Sequence, residues 1–173
     1  MDRARSPLNA VTLPVLDSRI DDRARKTHAE HADFPCRAGC DTCCRSLPHL
    51  PTITRAEWER LRGALSQLDE QAQADIRRRL REEEARVAGK TICPLLDLES
   101  GHCRTYHARP IACRTYGYYV ERDGGLHCNL VTRFADGHPV VWGNGEAIAQ
   151  DMRAFGATAT IGEWMRPGRA TDG

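Results

Sequence analysis

The sequence has no long hydrophobic run and few aromatic residues. No stretch approaches the ~18 consecutive apolar residues that cross a bilayer, and the first ten residues lack the apolar core of a secretory signal. Aromatic residues make up only 6% of the 173 residues, so the hydrophobic core is expected to be modest. These absences predict a cytoplasmic chain without a membrane segment.

An excess of charge of one sign is also lacking. The chain carries 25 Lys plus Arg against 24 Asp plus Glu, for a net charge of +1, and Lys26 and Lys90 are its only lysines. Balanced charge removes the usual electrostatic reason to bind nucleic acid or an anionic membrane. Neither partner is therefore expected.

Common enzyme motifs do not occur either. The sequence has no G-x-S-x-G elbow, no H-E-x-x-H pair, and neither of the phosphate-binding patterns G-x-x-x-x-G-K and G-x-G-x-x-G. The glycines in Asp123–Gly125 and Gly143–Gly145 are interpreted as turns. These absences argue against a hydrolase, but they leave open redox chemistry at a metal centre that has a free coordination position.

Cysteine, in contrast, is abundant, with eight residues. Clustered cysteines in a reducing cytosol are more often metal ligands than disulfides, and the disulfide alternative would require export. Soft thiolates select zinc, copper(I) or iron–sulfur clusters over hard cations. The composition therefore predicts a metal site.

The densest group of cysteines has the spacing C-x3-C-x2-C-C. On a helix these side chains would point within an arc of about 100°, and in a loop Gly39 would let the backbone turn tightly. Adjacent thiols diverge, so one of the last two could serve a different centre or point into the core. Radical S-adenosylmethionine enzymes also use the spacing C-x3-C-x2-C. Their barrel needs repeated strand–helix units, whereas long helical patterns follow the cysteines here, so this class of enzyme is rejected. The group consists of Cys36, Cys40, Cys43 and Cys44.

The other four cysteines are widely spaced. A hairpin over Ile92–Tyr106 would bring Cys93 near Cys103, and a short helix after it could return Cys113 to them. Four plus four cysteines suit two four-thiolate sites or one interleaved dinuclear site. Cys128 is the eighth candidate metal ligand, but it could equally be a small buried apolar residue.

Three segments together resemble a known family. Cys36–Cys44, Cys93–Leu96 and Cys103–Arg114 are similar to the YkgJ-type cysteine-cluster proteins, described as zinc- or iron-chelating and named for a CxxCxxCC pattern. The resemblance spans about residues 34 to 128, and one branch of the family is described as carrying an iron–sulfur cluster. It implies Arg109, Pro110 and Arg114 as an accompanying signature. The ligands that it implies are Cys36, Cys40, Cys43, Cys44, Cys93, Cys103 and Cys113.

Several polar residues beside the cysteines are further candidates. Arg109 and Arg114 flank Cys113 and could donate hydrogen bonds to sulfur, or could instead pair with surface carboxylates. Other candidates are histidines that could replace a thiolate and tyrosines that line either a pocket or the core. These are His102, His107, His127, Tyr106, Tyr116, Tyr118 and Tyr119.

The remaining patterns predict local structure, with no internal repeat. Thr54 and Glu57 form a capping box, which predicts the start of a helix. A break is expected near residues 66–69, and a second helix after it is expected to end near Gly89. The other expected elements are an arm at 1–17, a polar helix at 18–32, β patches at 116–120, 130–134 and 140–142, and helices at 146–155 and 160–165.

The sequence thus predicts an α+β protein: a small, mostly helical domain with a short β-hairpin, organised around a cysteine-ligated metal site. An N-terminal arm and polar helix (1–33) precede the cysteine-cluster domain (34–130), and an extension (131–173) packs on that domain. The predicted function is chelation of zinc or iron, with an iron–sulfur centre such as a 4Fe–4S cluster favoured. The alternatives are a redox or protein-modifying enzyme that uses this centre, with or without a protein partner, and a zinc-stabilised interaction module.

Overall fold

The computed structural model describes residues 11–86, 88–120 and 128–166. Within these residues the fold is α+β, and none of the helices is long and apolar enough to cross a membrane. The helices are α1 (Leu13–Glu30), α2 (Arg55–Leu65), α3 (Glu70–Glu84), α4 (Ile111–Thr115), α5 (Asn129–Gly137), α6 (Gly145–Met152) and α7 (Ile161–Met165). The strands are β1 (Thr52–Thr54), β2 (Tyr119–Val120), β3 (Gly143–Asn144) and β4 (Thr158–Thr160).

Helix α1 begins earlier than predicted from the sequence, and it buries more apolar side chains than predicted. It starts at Leu13 with a proline in its first turn, where a missing N–H costs nothing. Leu13, Leu16 and Ile20 are buried in a core that α4 and α6 share. The predicted arm is therefore wrong from Leu13 onward, because the apolar face of the helix extends through the segment that looked irregular.

The predicted start of α2 and the break after it are confirmed. Thr54 and Glu57 form a capping box, α2 ends at Leu65, and the Asp69 side chain caps α3. Helix α3 ends at Glu84 rather than near Gly89. Both helices, together with β1, β4 and α7, build the largest core, which includes Ile53, Trp58, Leu61, Leu65, Ile76, Leu80, Ile161 and Trp164.

Strands β1 and β4 pair antiparallel, with Ile53 opposite Ala159. Each strand runs into a helix through the same pattern, T-x-T-x-x-E-W, at residues 52–58 and 158–164, and each copy forms a capping box. The prediction of no internal repeat missed this pattern, because its two copies are short and lie far apart in the chain. The pairing places Trp58 and Trp164 in one core.

The predicted β patches are only partly confirmed. Residues 130–134 lie in α5, because a short run of branched and aromatic residues fits a buried helix as well as a strand. Residues 140–142 precede β3 rather than forming a strand, and the predicted turn at 143–145 contains β3 and the start of α6. Gly143 is needed there, since a Cβ would stand 2.4 Å from the ring of Tyr119.

Candidate metal site

Seven of the eight cysteines line one cavity of about 70 Å³. They come from the loop after α1, from the segment between α3 and α4, and from α4 itself. All eight cysteines are free thiols. The cysteines on the cavity wall are Cys36, Cys40, Cys43, Cys44, Cys93, Cys103 and Cys113.

The four clustered cysteines lie on an irregular loop rather than on a helix. The backbone turns at Gly39, whose φ of +87° is left-handed, as the loop alternative required. The carbonyl oxygen of Cys36 accepts hydrogen bonds from the Tyr118 hydroxyl and from Nε2 of His28 at 3.0 Å. These two bonds fix the start of the loop against α1.

The predicted hairpin around the second group is reduced to a single antiparallel bridge between Leu96 and Cys103. The Cys93 backbone N–H donates to the carbonyl of Cys44 at 2.7 Å, which joins this segment to the first cluster. Cys44, Cys93 and Cys103 all pack against the largest core. The turn therefore brings Cys93 and Cys103 to the same side of the cavity.

Cys128 lies outside the cavity wall. Its residue is 8% exposed and belongs to a small core with Phe34, Tyr118 and Val131, against which Cys36 also packs. This location fits the alternative in which Cys128 is a small buried apolar residue.

Among the cavity thiols, those of Cys36 and Cys44 have a raised pKa and hold their protons tightly. Burial, followed by the neighbouring Cys40 and Cys43, raises the pKa of Cys36 to about 12. A hydrogen bond with Cys43 lowers the pKa of Cys44, but a hydrogen bond with Cys93 and burial raise it to a net value of about 12. Because a metal binds thiolates, each of these thiols must release its proton when it becomes a ligand.

The two candidate arginines have different surroundings. Arg109 lines the cavity, its guanidinium carbon lies 3.9 Å from the centre of the Tyr106 ring, and its buried Nε has no hydrogen-bond partner within the described part of the chain. Arg114 is not on the cavity wall: it pairs with Asp21 at 3.0 Å and with Asp17 at 3.3 Å on α1. Arg109 is therefore placed to face thiolates, whereas Arg114 braces α4 against α1.

The candidate tyrosines and histidines also differ in whether they line the cavity. Tyr106, Tyr116 and Tyr118 line the cavity, whereas Tyr119 does not. His102 lies beside Gly39: a Cβ placed on Gly39 would stand 3.4 Å from the His102 Nε2. His107 packs edge-on against Tyr106 away from the wall, and His127 lies outside the described residues.

His28 positions the site but carries no signal in the sequence. It lies in the last turn of α1 and meets Cys36 and Tyr118 only through the fold. Glu57 was recognised only as a capping residue, yet its Oε1 also accepts the backbone N–H of Ile111 at 2.8 Å and so fixes the start of α4. Both contacts join segments that are distant in sequence.

The donor set fits a soft metal, although the thiols are not already grouped around one point. No set of three or more His, Cys, Asp or Glu side chains in the described residues is arranged to hold a metal ion. The cavity nevertheless offers seven sulfur donors, the class that zinc and iron–sulfur clusters prefer. The unpartnered Arg109 Nε adds a donor that thiolates would satisfy. Ligation would thus require the thiol groups to move closer together than they lie here.

Residues 35–131 match the protein family described as "CxxCxxCC: Putative zinc- or iron-chelating domain". The chain belongs to this CxxCxxCC family. The match spans more than half of the chain and includes all eight cysteines, which confirms the resemblance drawn from the sequence. No curated protein and no solved structure matches the chain.

Proposed function

We propose that this CxxCxxCC protein binds zinc or iron through its cavity cysteines, and that its resident group is an iron–sulfur centre. The observation that carries the proposal is the cavity itself, because seven cysteines from separate parts of the chain line one small space. Incidental buried cysteines would be scattered among apolar side chains, as Cys128 is. Arg109 supplies a positive charge on the same wall.

The thiols divide into two sets in this proposal. Cys44, Cys93 and Cys103 share contacts with the largest core, and burial, followed by Cys44 and Cys103, raises the pKa of Cys113. Four thiolates complete a tetrahedral site. This set would therefore be closed to further ligands.

The remaining thiols on the wall are Cys36, Cys40 and Cys43. After burial, Cys40 and Cys43 contribute most to raising the pKa of Cys36. Three thiolates leave one position free on a metal or cluster, and Tyr116 and Tyr118 lie on the same wall. This second set is the one at which an exogenous ligand or electron acceptor could bind, which keeps the enzyme alternative open.

Metal and sulfide analysis with an absorption spectrum, on the full chain purified without oxygen, tests the proposal. Iron with inorganic sulfide and a broad band near ~400 nm is expected. Colourless protein with one or two zinc ions would favour the zinc-stabilised interaction module, since zinc carries no visible absorption. Turnover that depends on a reductant or on S-adenosylmethionine would favour the enzyme.

Matched variants separate ligands from bystanders. Cys103→Ala removes a wall thiol and should lower the metal content, whereas Cys128→Ala should retain the metal and cost roughly 1 kcal/mol of stability through lost burial. Equal metal content in both variants would contradict the assignment of the wall cysteines as ligands.

A further inference from the structure

A second and larger cavity lies next to the thiol cavity. Its volume is about 660 Å³, within the range of small-molecule sites, about 300–1,000 Å³. Helix α4 contributes Ala112 to this cavity and Cys113 to the other, and Tyr116 lines both. A molecule bound here would therefore lie one side chain away from the cysteines.

The walls of this cavity are mostly apolar, with two aromatic rings. Ile111 and Ile148 supply aliphatic surface, and the rings belong to Tyr116 and Tyr119. Aromatic faces attract cations, and this attraction strengthens when water is excluded. The wall thus suits a ligand with an apolar body and a positive group.

A buried carboxylate gives the cavity its charge. Glu57 lines the cavity and is 2% exposed. Its Oε2 accepts the backbone N–H of Thr54 at 2.8 Å and the Thr54 hydroxyl at 2.9 Å, and its Oε1 accepts the N–H of Ile111 at 2.8 Å. These three donors are neutral, and Glu57 has no ion-pair partner in the described part of the chain.

Two features of Glu57 leave room for a cation. A carboxylate offers about four acceptor positions, so one remains on Oε1. A buried carboxylate without a compensating charge is also costly, and a cation would relieve that cost. Arg153 is the other charged residue on the wall, but it is exposed, where water and salt screen it.

We propose that this cavity binds a small organic cation with an apolar body, its ammonium group against Glu57 and the rings of Tyr116 and Tyr119. The thiols line the other cavity, so the cation and the metal would not share ligands. The bound molecule would lie beside the thiol cavity, next to Tyr116, which lines both.

Calorimetric titration of the metal-loaded full chain with n-hexylammonium, 1-hexanol and hexanoate tests the proposal. These probes share the apolar body and differ in charge. The expected result is that n-hexylammonium binds at least tenfold more tightly than either of the others. Equal binding of the three, tighter binding of hexanoate, or no detectable binding of n-hexylammonium would overturn it.

Two variants locate the binding. Ala149→Phe places a ring in the cavity and should weaken n-hexylammonium binding at least tenfold, with unchanged metal content. Ala85→Phe is the control, because Ala85 is exposed and lies outside the cavity, and it should leave n-hexylammonium binding unchanged. Tyr119→Leu keeps the apolar volume and should weaken n-hexylammonium but not 1-hexanol. Wild-type affinity in Ala149→Phe, or equal loss for both probes in Tyr119→Leu, would contradict the proposed site.

Discussion

Gly117 lies directly against Cys36: a Cβ at residue 117 would stand 2.9 Å from the Cys36 Sγ. Gly117 also has a left-handed backbone, with φ of +85°, which side-chain-bearing residues rarely adopt. The same approach lets the Cys36 thiol donate to the carbonyl of Tyr116 at 3.2 Å. The segment after α4 therefore sets the position of the first cysteine of the cluster.

Gly117→Ala should consequently damage both the fold and the site. Left-handed strain and the clash with Cys36 together should cost about 2 kcal/mol or more in the free energy of unfolding, and the metal content should fall. Chemical denaturation and metal analysis measure the two effects. Gly63→Ala is the control, because Gly63 lies inside α2 with nothing within 4 Å and should gain up to ~1 kcal/mol. Similar behaviour of the two variants would contradict this role of Gly117.

Tyr118→Phe should loosen the start of the cysteine loop. The hydroxyl donates to the Cys36 carbonyl, and its removal should cost about 1 kcal/mol and speed the loss of metal to a chelator. Tyr119→Phe is the matched control, because the Tyr119 hydroxyl makes no hydrogen bond within the described residues. If both variants release metal at the wild-type rate, the Tyr118 contact does not support the loop.

Arg114 and Arg109 should respond differently to replacement. Arg114 is 8% exposed and paired with α1, so Arg114→Met should destabilise the fold by about 3 kcal/mol and leave the absorption spectrum of the metal centre unchanged. Arg109→Met removes the positive charge from the cavity wall and should shift that spectrum. A shifted spectrum in Arg114→Met alone would reverse these assignments.

The stability of the metal-free protein should fall in alkaline solution. Burial raises the pKa of Cys36 from 9.0 to about 12, so between these values the folded chain keeps a proton that the unfolded chain has lost. Stability therefore decreases as pH rises through this window. Denaturation of metal-free protein at about pH 8 and about pH 10 measures the effect. A free energy of unfolding that increases between the two would be inconsistent with buried, protonated thiols.

Local signals predicted much of the scaffold. The capping box of Thr54 and Glu57 predicted where α2 begins, because a cap acts within one turn of its own helix. The seven cysteines that the family resemblance implies as ligands all line the cavity; their role as metal ligands stays a prediction. The sequence left the role of Cys128 open between a ligand and a buried apolar residue, and it lies apart from the cavity.

Contacts between distant segments could not be predicted. The bond from His28 to the Cys36 carbonyl and the bond from Ile111 to Glu57 depend on how helices pack, and no spacing rule encodes them. Residues 130–134 were predicted to form a strand, although their branched and aromatic side chains suit a helix equally well. They lie in α5, with Val131 buried. Tertiary packing thus supplied the information that periodicity lacked.

X-ray absorption at the metal edge of the protein as purified, without oxygen, tests the central claim most directly. If the cavity cysteines are the ligands, the first coordination shell will consist of sulfur at about 2.3 Å. An iron–sulfur centre adds an iron neighbour beyond this shell. A first shell dominated by nitrogen or oxygen, or a folded protein without bound metal, would contradict the account.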